Sequence, residues 1–198
     1  MLDLALILLK LELTNYINNL PVQDAVDVEL ENIGMLEVGS GNTTLSDKII
    51  ISIVNIEEES ALKNQSTIRR PFLNNAAIVE NTPINLNLYV LFTSNFSKYE
   101  YALKRLAYVI QFLQEKNTFS SSSPFMPAGN TLNLKFTLDL YTLTFEQINH
   151  LWGSLGGRQV PFAMYKLRLV AIDSRKAVRT VPLIEEIDTV IQKNSDSN

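Results

Sequence analysis

The stretch NLNLYVLFTSNFSKYEYALKRLAYVIQFLQEK, residues 85–116, changes its period in the middle, and that change decides the fold class. From Asn85 to Phe92, Leu86, Leu88, Val90 and Phe92 fall on alternate positions, the mark of a strand with one face in a core. After Ser97 the spacing becomes helical: Ala102, Leu106, Val109 and Leu113 share one face, and Lys104, Arg105, Gln111 and Glu115 lie elsewhere. Ser97 stands where a helix cap belongs, Glu100 follows three residues later as a capping-box partner, and Phe96 with Tyr101 is spaced as a hydrophobic staple. A strand feeding a helix of roughly 27 Å predicts a helix laid on a sheet.

Downstream, TLNLKFTLDL (131–140) alternates again, with Leu132, Leu134, Phe136, Leu138 and Leu140 inward and Asn133, Lys135, Thr137 and Asp139 outward. The start signals then recur: Thr144 as cap, Gln147 as box partner, Leu143 with Ile148 as staple. That helix runs into NHLWGSLGGRQVP (149–161), which holds the only histidine and tryptophan of the chain and three of its seven glycines. A last strand spans 160–173, with Tyr165, Leu167, Leu169 and Ala171 apolar against Lys166 and Arg168.

Upstream, Leu2, Leu6, Leu9, Leu13, Tyr16, Ile17 and Leu20 mark a helix stopped near Pro21. Leu4, Leu8 and Leu11 form a second apolar stripe off that face, suited to a neighbouring subunit or to deeper enclosure in the same domain. Two strands follow, at 24–34 and 48–56. The first alternates Val26, Val28 and Leu30 with Asp27, Glu29 and Glu31, an acidic row read as solvated; the second is apolar on both faces, as in a strand covered on both sides. Residues 57–83 show no sustained periodicity and read as a long loop, and NTFSSSSPFMPAGN (117–130) reads as an exposed one. The order predicts an α+β fold: a single mixed or mostly antiparallel sheet flanked by about three helices, in one domain over 1–173, with 174–198 as a C-terminal extension or arm able to add a strand to a neighbour.

Composition narrows the function classes. A net charge of -4 and a pI near 5.1 give no global attraction to nucleic acid, which is not expected as a partner. The absence of cysteine removes thiolate chemistry and suits a reducing cytosol, and a single histidine removes imidazole clusters. Asp3, Lys10 and Glu12 interrupt the apolar N-terminus well short of the roughly 20 residues a membrane-spanning helix needs, so no such segment and no cleaved signal is expected.

No catalytic, cofactor or metal site is predicted. His150 has no nucleophile signature beside it, so a hydrolytic effector is the weaker alternative. Gly153, Gly156 and Gly157 follow a helix, whereas phosphate loops precede one; they read as a helix stop with a left-handed residue. Glu57, Glu58 and Glu59 lack the spaced ligands of a calcium loop and read as a solvated run.

Residues 86–119 and 134–172, above all NLYVLFTSNF, YALKRL and INHLWGSLGG, resemble the cap, or tail-terminator, proteins of extracellular contractile injection systems of the anti-feeding prophage and Photorhabdus virulence cassette type. The resemblance implies a structural role: a homo-hexameric ring at the baseplate-distal end of a phage-tail-like particle, ending inner-tube growth and joining the tube to the last sheath layer. Tube and sheath subunits are the implied partners, with assembly in the cytoplasm. The alternative within the particle is an adaptor between the tube and a second cap protein. Expected interface residues are Leu4, Leu8 and Leu11, Arg69 and Arg70 of IRRPF (68–72), and Arg175, Lys176 and Arg179 of the tail, because arginine suits paired carboxylates at subunit seams.

Overall fold

The computed structural model describes residues 2–21, 26–35, 45–59, 68–69, 76–80, 84–127, 134–172 and 177–182. Its elements run α1 (Leu2–Asn18), β1 (Asp27–Leu30), a 3-10 turn (Ile33–Met35), β2 (Lys48–Glu58), β3 (Ile68–Arg69), β4 (Ala76–Glu80), β5 (Ile84–Asn95), α2 (Tyr99–Glu115), β6 (Thr118–Ser120), β7 (Lys135–Leu140), α3 (Phe145–Ser154), β8 (Phe162–Ile172) and β9 (Ala177–Pro182). The chain divides into two compact units, Met1–Ser60 with Ile84–Ile172, and Ala61–Pro83 with Asp173–Asn198.

The larger unit is the expected α+β fold. Its six strands take the order β1-β2-β5-β8-β7-β6, with β1 parallel to β2 and every other pairing antiparallel. The period-2 pattern sorts the side chains into two layers. Ile49 and Ile51, Leu88, Val90 and Phe92, and Tyr165, Leu167 and Leu169 join Leu8, Leu9 and Leu13 of α1 and Val109, Phe112 and Leu113 of α2 in one core. Ile50, Leu91 and Met164 point to the opposite face, where they meet Trp152 of α3. Two helices therefore cover one face and one helix the other. The double-faced reading of residues 48–56 holds for the start of β2, whose buried positions end at Ser52; a register shift lies between Ile53 and Asn55, and from Asn55 the strand is exposed.

α1 is apolar on nearly every side, and its second stripe divides. Leu8 is fully buried, Leu4 half-buried and Leu11 39% exposed. Leu8 therefore packs inside its own domain and is corrected from interface to core. Glu12 is also buried on this helix: Lys116 donates to Oε2 at 2.5 Å and Ser123 to Oε1 at 2.6 Å, so one carboxylate fastens α1 to the end of α2 and to the loop after β6. Arg105, read as lying off the buried face, is 5% exposed with its guanidinium 5.8 Å from the Tyr108 ring, its long stem sharing the helix's inner face. The acidic row of β1 is not wholly solvated either, since Glu29 takes Lys10 at 2.6 Å and Lys48 at 3.7 Å.

The two helix starts differ. At Thr144 the capping box forms in full, with Gln147 N–H donating to Oγ1 at 3.3 Å and Thr144 N–H donating to Oε1 of Gln147 at 3.0 Å. At Ser97 it does not. α2 begins at Tyr99 with Lys98 at the cap position and no side-chain cap bond, while Ser97 donates through its amide (2.9 Å) and hydroxyl (3.1 Å) to Asp47 Oδ1. A carboxylate 50 residues away has replaced the local partner.

The second unit corrects the long-loop reading of 57–83. β3, β4 and β9 form a three-stranded antiparallel sheet in that order, with Ile68 opposite Val79 and Ile78 opposite Thr180. The tail strand pairs with its own chain.

Candidate assembly surfaces

His150 is exposed on α3, and among the described residues no three histidine or carboxylate side chains gather as a metal site. Gly156 and Gly157 have φ of 101° and 79°, and Gly157 N–H donates to Trp152 O at 2.7 Å, the 6→1 bond of a Schellman stop. Trp152 is buried and meets Phe162 edge to face at 5.4 Å. The glycines end a helix and the tryptophan pins it to the sheet.

The acid run is tied into β5. Tyr89 OH donates to Glu57 at 2.9 Å and Asn87 to Glu59 at 2.7 Å. Burial, reinforced by the Glu57 carboxylate, pushes the Tyr89 phenol up to about 12. Glu29 moves the other way: the hydrogen bond from Lys10 holds its carboxyl below the usual range.

The basic interface candidates fall in the second unit. Arg69 lies in β3 opposite Ile78, and Arg179 lies in β9 opposite Val79. Arg70, Arg175 and Lys176 lie outside the described residues.

Apolar surface is where the larger unit departs from an ordinary exterior. Phe145 is 88% exposed, Tyr99 68%, Leu140 62% and Leu103 46%, with Tyr101 and Ile110 also exposed. Tyr99, Leu103 and Ile110 are spaced four and seven apart, so they share the side of α2 turned from the sheet. Leu103 and Tyr99 also line a groove of about 460 Å³ with Leu106, Gln159, Val160, Pro161 and Phe162. The helical spacing that singled out Leu4, Leu8 and Leu11 would have found this second stripe on α2. Nothing local marked Phe145, which occupies an ordinary first-turn position.

A mixed sheet layered between helices, carrying exposed aromatic and aliphatic patches, defines an α+β domain. Residues 7–186 match the Pvc16 N-terminal domain family, and the chain belongs to that family. In fold it is similar to the sheath/tube terminator of an extracellular contractile injection system, PVC, in its extended state (TM-score 0.56, 11% identity, 97% of this chain and 65% of that one). It is likewise similar to the tube-terminating cap of the anti-feeding prophage (TM-score 0.53, 16% identity, 96% of this chain and 61% of that one). The chain thus spans less than two thirds of either structure's length. No curated protein matches it.

Proposed function

We propose that this chain is a structural terminator of a contractile injection system: a homo-hexameric ring at the baseplate-distal end that stops inner-tube growth and joins the tube to the last sheath layer. The observation that carries this reading is the family match over residues 7–186, together with the terminator fold across 97% of the chain. The role is mechanical; no reaction is assigned to it. Assembly takes place in the cytoplasm, onto tube and sheath subunits, with the finished particle released or attached elsewhere. Leu4 and Leu11 of α1, and Arg69, Arg70, Arg175, Lys176 and Arg179 of the second unit, are the remaining proposed contacts from the sequence. An adaptor seated between the tube and a second cap protein is the alternative.

A cryo-electron microscopy map of the particle separates the two. The terminator reading expects a ring of this chain directly on the last tube layer and touching sheath. A ring contacting only another cap protein establishes the adaptor, and its absence from the particle contradicts both.

A further inference from the structure

We propose that copies of this chain join head to tail through two unlike apolar patches: Phe145 of one copy enters the groove beside α2 of the next. The proposal rests on the ring reading above and names the surfaces that would build it.

Phe145 buries little of its ring in its own fold. It is 88% exposed, the capping box of its helix is made by Thr144 and Gln147, and the staple residues Leu143 and Ile148 both pack on the α3-side core. Leu140, five residues earlier, is 62% exposed at the end of β7. Exposed aromatic rings of this kind are enriched at the anchor points of interfaces. The groove is the matching concavity: its volume of about 460 Å³ exceeds a phenyl ring, and its walls mix apolar side chains with polar surface, Gln159 among them. It continues into the exposed stripe of Tyr99, Leu103 and Ile110.

Position and charge select a second copy as occupant. α2, with its exposed stripe, covers one face of the sheet and α3 with Phe145 the other, while the groove lies at the edge between them, lined by α2 and by Val160 and Phe162 of the α3-side core. Unlike patches generate a heterologous contact, which gives a ring where the rotation closes and an open filament where it does not, whereas a like-to-like contact stops at a dimer. The exposed charges at the start of α2 are Lys98, Glu100 and Lys104, net positive; those of α3 are Glu146 alone, beside Phe145. Packing the Lys98 and Lys104 side of α2 against Glu146 of α3 brings opposite charges together, and packing α3 on itself opposes like charges.

The test is light scattering on size-separated full-length protein, with sedimentation velocity over a concentration series, for wild type, Leu103→Asp, Phe145→Asp and their equimolar mixture. Both positions are exposed, and circular dichroism checks that each variant is folded. Wild type is expected to form a closed oligomer, each variant alone a monomer, and the mixture a 1:1 dimer, because one intact patch remains on each partner. Lys104→Glu and Glu146→Lys should each weaken assembly at least threefold and restore it when combined in one chain. An oligomer that persists in both variants, or a mixture that stays monomeric, overturns the pairing and leaves the ring reading standing. A wild type that remains monomeric throughout overturns the ring reading and the pairing with it.

Discussion

Thr144 shows what a local signal can and cannot carry. Its box partner is three residues away, so the bonds seen in the fold were legible in the sequence, and Thr144→Ala should lower stability by about 1 kcal/mol in chemical denaturation. Ser97 offered the same signal and formed no box, because Asp47, 50 residues distant in the chain, takes its donors instead; a pattern three residues wide contains no term for such a rival. The glycine stop was also legible, since positive φ at Gly156 and Gly157 is a backbone requirement that glycine meets at low cost. Glu29 was read as a solvated acid, and its lysine partners come from α1 and β2. Its carboxyl is held below 4.5, so the linkage runs as for a depressed acid: the stabilisation is present at neutral pH and lost as pH falls through the folded value. Acid unfolding of Lys10→Met should accordingly show a shallower loss of stability below about pH 4.5 than wild type does. Parallel profiles for the two proteins would remove this pair from the account.

At the scale of elements, periodicity placed the helices and the long strands because each buries one continuous face. It failed where burial depends on what lies opposite. α1 and α2 both carry a second apolar stripe, yet Leu8 on α1 is enclosed while Leu103 on α2 faces out. Neither sequence says which, because coverage is a tertiary property. The three-stranded unit was missed for a related reason: β3 has two residues and β4 five, too short for alternation to register, and their partner β9 lies about a hundred residues along the chain. The tail, expected as an arm able to add a strand to a neighbour, pairs its β9 with β4 of its own chain. In that sheet β4 is central, so removing everything after Asp173 leaves only the short β3–β4 ribbon, which is marginal in water. Limited proteolysis of the truncated chain should therefore show rapid cutting within residues 61–83, with the residues of the six-stranded sheet protected. Protection of 61–83 equal to that in the full chain would contradict the role given to β9.

For the whole molecule, fold and family were readable because the signature falls on packing and turn positions, the strand-to-helix change at residues 85–116 and the α3 stop. The candidate surfaces were less so, since an exposed side chain such as Phe145 is conspicuous only once its own domain is seen to leave it uncovered. On the proposed function the chain sets tube length and joins tube to sheath, with tube growth ending where its ring binds. The most direct measurement is the length distribution of tubes, by electron microscopy, in particles assembled with and without this protein. Without it, tubes should lose their single length, with over-long or sheath-free tubes predominating, and supplying the wild-type chain should restore one narrow peak. Particles of normal, uniform length with intact sheath in its absence would contradict the claim.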